Sequence, residues 1–187
     1  MNTPTYQDIL KINENLNNSS FSHWYHDDLF TVTWWFLLLS TIGPFIVWNK
    51  FRDRNRSLEL ILFGLISSLL ASFLDEVGIF LGLWGYPDKL IPIIPPLVPA
   101  DVAVIPVFSM LIYQYSPTFT SYIWKYIIFA GILAFMIEPA FVKFDMYAYH
   151  KWWSHTCSFI GLILYGLIIY YFIRFILTHF KKADHSF

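Results

Sequence analysis

The stretch DEVGIFLGLWGYPDKLIPIIPPLVPAD, residues 75–101, joins two apolar segments and carries acids at both of its ends. Asp75 and Glu76 lie near the end of one apolar run, and Asp101 stands where the next run begins. Five prolines lie between them. Because proline interrupts regular helices, the stretch predicts two helices joined by a proline-rich hairpin.

The composition is that of a membrane protein. The 187 residues are 57% hydrophobic and only 13% charged, and the mean hydropathy is +0.52. Soluble domains carry roughly 25% charged residues. The net charge of −1 gives no reason to expect nucleic acid as a partner. The single cysteine, Cys157, excludes a disulfide or a thiolate metal cluster within the chain.

The hydropathy pattern predicts an all-α bundle that crosses the membrane about five times. A helix needs about 20 apolar residues to cross a bilayer core. Residues 1–28 are typical of a polar extracytoplasmic tail, part of which could be an interfacial helix, and residues 29–187 of one transmembrane domain. The third crossing is short and carries Pro106, so a kinked or re-entrant segment is an alternative. The predicted crossings are residues 29–48, 57–82, 102–116, 122–142 and 156–177.

The distribution of basic residues predicts the orientation. Eight of the twelve lysines and arginines lie at one end of the predicted bundle, four of them in NKFRDRNR, residues 49–56. Cytoplasmic loops are enriched in these residues. The pattern therefore predicts an N-terminus outside, a C-terminus in the cytoplasm, and a location in a cell membrane.

The same topology predicts that the acids meet near the outer surface. Asp75 lies 18 residues into the second crossing and Glu138 lies 16 residues into the fourth. At 1.5 Å per residue these positions are about 27 Å and about 24 Å across a core of about 30 Å. Asp101 and His155 open the third and fifth crossings from the outside.

These residues form a predicted acid site with an aromatic lining. Carboxylates that are close together in a low dielectric cannot all stay ionised, so one should hold a proton. The candidate catalytic residues are Asp75, Glu76, Asp101 and Glu138, and the candidate substrate-binding residues are Trp84, Tyr86, Tyr147, His150, Trp153 and His155. No cofactor is predicted.

Plainer interpretations exist for several of these residues. Asp101 could serve only as the N-cap of its helix, and the tryptophans could belong to the aromatic belt of a membrane protein. Asp75 and Glu76 are adjacent and point about 100° apart on a helix, so at most one faces a given pocket. A metal site at His150 and His155 is a further alternative, but their spacing of five does not place both on one helix face. No metal is therefore predicted.

The order acid, apolar run, Gly-x-Trp-x-Tyr, polar turn and Pro-x-acid resembles the membrane lycopene cyclase domain family and the carotenoid hydratase-like membrane proteins. The matching residues are Asp75, Gly82, Trp84, Tyr86, Pro99 and Asp101. The resemblance covers about 30 residues and implies protonation of a polyene end, which then cyclises. It departs where the family has a second acid, because Val102 stands there. Glu138 is then the residue expected to complete an acid pair.

A second resemblance extends over nearly the whole chain. The elements LDEVG with LGLWGYP, MLIYQY and IEP resemble a family of small integral membrane proteins of Gram-positive bacteria. This resemblance implies a bacterial plasma-membrane protein and implies no activity.

Three classes of function are compatible with the sequence. The first is an enzyme that cyclises or hydrates an isoprenoid or polyene lipid by protonation, with Asp75 or Glu138 as the donor and Asp101 as its partner. The second is a non-enzymatic lipid-binding, sensor or assembly protein whose acids hold helices together. The third is a proton-coupled transporter, although such sites usually lie near the midplane between repeats. Because one chain is small for enclosing a polyprenoid, a homo-oligomer or another protein partner is a further possibility.

Overall fold

The computed structural model describes residues 3–92 and 97–184. The chain is mainly helical in this part, as predicted, with one small antiparallel pair of strands. Pro95 and Pro96 of the predicted proline-rich hairpin lie outside the described residues. The elements are α1 Tyr6–His23, α2 Val32–Phe51, α3 Ser57–Phe80, β1 Trp84–Gly85, α4 Ile105–Gln114, α5 Phe119–Ile132, α6 Glu138–Lys143, β2 Ala148–Tyr149 and α7 His155–Asp184.

Four helical segments are long and apolar enough to cross a membrane. They are Val32–Phe51, Arg54–Phe80, Phe119–Lys143 and His155–His179. At most 28% of the residues in the most apolar window of each segment are buried within the chain. Most of this apolar surface therefore faces outward, as expected for helices that contact lipid. The third predicted crossing corresponds to a shorter apolar helical segment, Pro99–Gln114.

The core between α3, α4, α5 and α7 contains buried tyrosines whose hydroxyls are hydrogen-bonded. Tyr122 donates to the carbonyl of Gly166 over 2.9 Å, and Tyr126 lies 3.0 Å from the hydroxyl of Ser109. The Tyr165 hydroxyl donates to the carbonyl of Ser67 over 2.8 Å. Buried polar groups need such partners, so these bonds fix how the helices meet.

Prolines interrupt two of the helical segments next to acids. π-Helical turns at Pro99–Val104 and Leu133–Ile137 come shortly before Pro106 and Pro139. A proline cannot donate a backbone hydrogen bond, and its ring crowds the carbonyl four residues earlier, which lies in each case within the π-turn. Asp101 lies in the first turn and Glu138 follows the second. Such wide turns are frequent at functional sites.

The two strands bring the loop after α3 against the loop after α6. Trp84 pairs with Tyr149, and Gly85 pairs with Ala148. Gly82, with φ of +65°, ends α3 and turns the chain towards β1; this left-handed conformation suits glycine. The strand pair therefore sets Trp84 of one loop beside Tyr149 of the other.

Candidate functional site

Asp75 is held by two side chains of the loop that follows its own helix. Its Oδ1 atom accepts hydrogen bonds from Trp84 Nε1 over 2.6 Å and from the Tyr86 hydroxyl over 2.7 Å. The Trp84 indole reaches Asp75 by lying across Gly78, one helical turn further along α3, where any Cβ would overlap the ring. Asp75 and Gly78 share one face of the helix, so the glycine makes this contact possible.

Asp101 faces Asp75 from the π-turn that precedes α4. Their carboxyl groups lie within hydrogen-bonding reach of each other, and both residues are buried. The Oδ2 atom of each is buried without a hydrogen-bond donor among the described residues. Two facing, buried carboxyl groups can satisfy these oxygens by sharing one proton. We call these two residues the acid pair.

Glu76 does not belong to this contact. It is half-buried and has no hydrogen-bond partner within the described part of the chain, although its charge acts on Asp75. Asp75, and not Glu76, contacts the loop after α3. Asp75 is also the one that shares its helix face with Gly78.

Glu138 lies in a second group, at the start of α6. The Tyr149 hydroxyl is hydrogen-bonded to both Glu138 Oε2 and His155 Nδ1, and these two atoms are themselves 3.6 Å apart. The partner of Asp101 is therefore Asp75, and Glu138, which the cyclase resemblance made the expected partner, pairs with Tyr149 and His155.

Ser158, which the sequence did not single out, joins this second group. Its Oγ atom accepts a hydrogen bond from Trp153 Nε1 over 2.9 Å and lies within hydrogen-bonding reach of Glu138 and Tyr149. Ser158 is three residues after His155 on α7, so both point to the same side of the helix. We call Glu138, Tyr149, His155 and Ser158 the glutamate cluster.

Aromatic rings fill the space between the acid pair and the glutamate cluster. Tyr86, which holds Asp75, lies 5.4 Å from Tyr147 between ring centroids, and Tyr147 lies 4.8 Å from Tyr149. Trp84 lies 4.7 Å from Trp153. The two groups and these rings occupy one end of the bundle, which we call the site end.

The tyrosine hydroxyls at the site end stay protonated. Burial raises the pKa of Tyr86, and the nearby Asp75 and Asp101 carboxyl groups raise it further. Burial and Glu138 raise the pKa of Tyr149 in the same way. Both hydroxyls therefore remain hydrogen-bond donors to their carboxyl partners over the ordinary pH range.

His150 does not reach either acid group. Its side chain is exposed, and its backbone N–H donates to the carbonyl of Leu83 over 2.8 Å. Among the residues that the structure describes, no group of three His, Cys, Asp or Glu side chains is arranged to hold a metal ion.

A pocket of about 300 Å³ lies against Tyr86, next to the acid pair. Tyr86 both lines this pocket and donates its hydrogen bond to Asp75. Asp28, also in the lining, is buried; its Oδ2 accepts the backbone N–H of Lys89 over 3.0 Å, and its Oδ1 lies 3.5 Å from His23 Nε2. The lining residues are Ser19, Ser20, His23, Trp24, Asp28, Tyr86, Pro87 and Lys89.

Comparison with known proteins finds no matching family model, no matching curated protein and no matching solved structure. The chemistry of the site therefore has to be argued from its own geometry.

Proposed function

We propose that the chain is an integral membrane enzyme that protonates an isoprenoid or other polyene lipid, so that the lipid cyclises or takes up water. The observation that carries this proposal is the acid pair: two buried carboxyl groups face each other, and the two Oδ2 atoms have no other donor among the described residues. A shared proton in an aromatic, water-poor surrounding is suited to attack on an apolar double bond.

The hydrogen bonds divide the roles within the acid pair. Asp75 receives two donors, from Trp84 and Tyr86, and such donors stabilise the ionised form of a carboxyl group. Asp101 receives no such donors among the described residues, and its Oδ2 atom is buried without a hydrogen-bond partner. Asp101 is therefore our proton donor, and Asp75 is the residue that positions it. The sequence had favoured the opposite assignment, with Asp75 or Glu138 as the donor and Asp101 as its partner.

The proposed reaction needs no cofactor, because its atoms and electrons balance. Asp101 gives its proton to one carbon of a terminal double bond, whose π electrons form the new C–H bond and leave a cation on the neighbouring carbon. A second double bond closes a ring by donating its π electrons to that cation. Loss of a proton to the Asp101 carboxylate forms a new double bond and restores the acid. In hydration, water adds to the cation and releases its proton to the same carboxylate.

The surroundings of the acid pair suit a cationic intermediate. The rings of Trp84, Tyr86 and Tyr147 lie between the acid pair and Glu138, and aromatic faces attract cations. A carboxyl group on each side of these rings adds electrostatic stabilisation where positive charge develops.

The proposed setting is a bacterial plasma membrane that the chain crosses five times, with its N-terminus outside. The support is the concentration of basic residues in loops at the end opposite the acids. In this arrangement the shorter helical segment Pro99–Gln114 is the third crossing, and the acid pair lies in the outer leaflet.

A second candidate is a non-enzymatic lipid-binding or assembly protein. The bonds from Trp84 and Tyr86 to Asp75 tie the loop after α3 to its helix, and this is also what a purely structural acid would do. Asparagine at position 75 keeps an acceptor oxygen, whereas alanine removes it. If the function survives Asp75→Asn and Asp101→Asn but is lost together with the fold in Asp75→Ala, the protein is of this second kind.

The proposal is tested in cells that accumulate linear polyprenoids. Apolar extracts are compared by mass spectrometry for wild type, Asp101→Asn, Asp75→Asn and Glu138→Gln at matched membrane levels of the protein. We expect a new isomeric or hydrated product with wild type and its loss in Asp101→Asn. A product that persists in all three variants would refute acid catalysis at this site.

A further inference from the structure

Helix α1 has an apolar face that the described part of the chain leaves uncovered. No residue of α1 is buried. Its large apolar side chains are instead exposed to a high degree: Tyr6 71%, Ile9 47%, Ile12 62%, Leu16 61% and Phe21 58%. These exposures are too high for a helix packed on the bundle, so something outside the described chain is needed to cover them.

Three of the exposed side chains follow the helical repeat. Ile9, Ile12 and Leu16 are spaced by three and four residues and share one face, whereas Lys11 and Asn18 lie on the other. The helix begins with a capping box between Thr5 and Asp8, which fixes its first turn. In proteins most of the stability of a helix comes from packing of its apolar face, so the apolar face of α1 is expected to meet a partner.

The C-terminal end of α1 is tied to the site end, where a crossing begins. Trp24, directly after α1, donates from Nε1 to the carbonyl of Leu90 over 3.0 Å. Trp34, in the first turn of α2, donates to the same carbonyl over 2.8 Å. Because the apolar segment Val32–Phe51 starts here, α1 leaves the bundle at the level where lipid meets water.

Exposed aromatic side chains surround the junction between α1 and α2. Phe21, Tyr25, Phe30 and Trp35 are between 49% and 65% exposed, and Trp34 contacts both Phe30 and Trp35 through its ring. Tyrosine and tryptophan are enriched where a protein surface crosses the membrane–water boundary. The junction therefore carries the side chains expected at the membrane–water boundary, beside the surface that the apolar segment Val32–Phe51 presents to lipid.

We propose that α1 lies in the plane of the membrane at the site end, with its apolar face in the lipid and its polar face in water. An 18-residue helix is about 27 Å long, and its apolar face would be buried about 5–10 Å into the boundary of headgroups and acyl chains. The helix carries Asp8, Glu14 and Lys11 and so has little net charge. Apolar area alone drives its attachment, which therefore does not require anionic lipid.

This placement is independent of the proposed reaction, but it affects access to the site. Ser19, Ser20 and His23 at the end of α1 line the pocket beside Tyr86. With α1 in the membrane plane, that pocket opens into the headgroup layer.

The test measures which face of α1 meets lipid. Single cysteines are placed at Ile9 and Leu16 on the apolar face, and at Lys11 and Asn18 on the polar face, in a Cys157→Ser background. Each pair is separated by seven residues, so the two faces are matched. After spin labelling in nanodiscs of zwitterionic lipid, relaxation by oxygen is compared with relaxation by a water-soluble nickel chelate.

We expect labels at positions 9 and 16 to be relaxed mainly by oxygen, and those at 11 and 18 mainly by the nickel chelate. Equal access of the nickel chelate to all four positions would show that α1 stands free in water and would overturn the proposal. Protection of positions 9 and 16 from both agents would also overturn it, because a protein surface, such as a second copy of the chain, would then cover the face.

Discussion

The carboxyl groups of Asp75 and Asp101 face each other from two different helical segments, and each keeps its Oδ2 atom buried without another donor among the described residues. Asp75 is additionally held by Trp84 and Tyr86 through Oδ1. Removing a charge from water is expensive unless it is paired and hydrogen-bonded. The arrangement therefore depends on a proton between the two groups and on the donors that hold Asp75.

Gly78→Ala should destabilise the protein because the added methyl group overlaps the Trp84 indole. Overpacking of this kind costs about 1–3 kcal/mol, and the displaced indole also loses its bond to Asp75. We expect a fall in melting temperature of roughly 2–4 °C per kcal/mol, measured in detergent. Gly43→Ala is the control, since a Cβ there meets nothing within 4 Å. An equal effect of both substitutions would contradict the packing of Trp84 on α3.

Tyr149→Phe should separate Glu138 from His155. The missing hydroxyl is hydrogen-bonded to both side chains, and bonds to charged groups contribute about 1.5–3 kcal/mol. Thermal unfolding of Tyr149→Phe and of Tyr171→Phe, whose side chain is 58% exposed, measures the difference. A Tyr149→Phe protein as stable as the Tyr171→Phe protein would show that the glutamate cluster is not formed.

Asp28→Asn should change how stability depends on pH. Burial raises the pKa of the Asp28 carboxyl, partly opposed by the N–H of Lys89 and by His23, and the nearby Asp88 and Asp27 raise it further. The folded state therefore holds this proton to higher pH than the unfolded state, and the stabilisation it gives is complete below the unfolded pKa and lost as pH rises through the folded pKa.

Asparagine at position 28 has no proton to lose. The melting temperature of Asp28→Asn relative to wild type should accordingly rise as the pH increases above about 4. Asp27→Asn, on an exposed side chain, is the comparison. A constant difference across this range for Asp28→Asn would contradict the burial of an ionisable carboxyl beside the pocket.

Tyr86→Phe should lower product formation while leaving the protein folded. The substitution removes one of the two donors to Asp75 and keeps the bond from Trp84. The proton of the acid pair then moves towards Asp75 and away from the donor Asp101, for which we expect a loss of roughly 10-fold or more. Tyr25→Phe, on a residue that is 57% exposed, should keep full activity. Full activity in Tyr86→Phe would show that the hydrogen bond from Tyr86 to Asp75 is not required for catalysis.

The composition and the apolar runs of the sequence predicted the all-α fold, and residue counting predicted that acids from different helices would meet. The sequence did not decide which of Asp75 and Glu76 faces the site. Only the contact of Trp84 with Gly78 distinguishes them, although Asp75 and Gly78 stand three residues apart and share a face. Ser158 has the same relation to His155 and could have been found by that spacing.

Other features have no signal in the sequence. The carbonyl of Leu90 accepts bonds from both Trp24 and Trp34, but every residue has a carbonyl group, so the pattern of side chains does not mark it. The sequence also did not identify the partner of Asp101. Residue counting gives only the depth of a residue in the membrane, and Asp75 and Glu138 were predicted at nearly the same depth.

Isotope incorporation tests the proposed proton transfer from the acid pair to a polyene. Purified protein in nanodiscs is incubated with lycopene as the probe in heavy water, beside Asp101→Asn, and the product is analysed by mass spectrometry. We expect deuterium in the cyclised or hydrated end groups, because Asp101 exchanges its proton with heavy water before it reacts, and no product from Asp101→Asn. A product without deuterium, or one that Asp101→Asn forms equally well, would contradict proton transfer from Asp101.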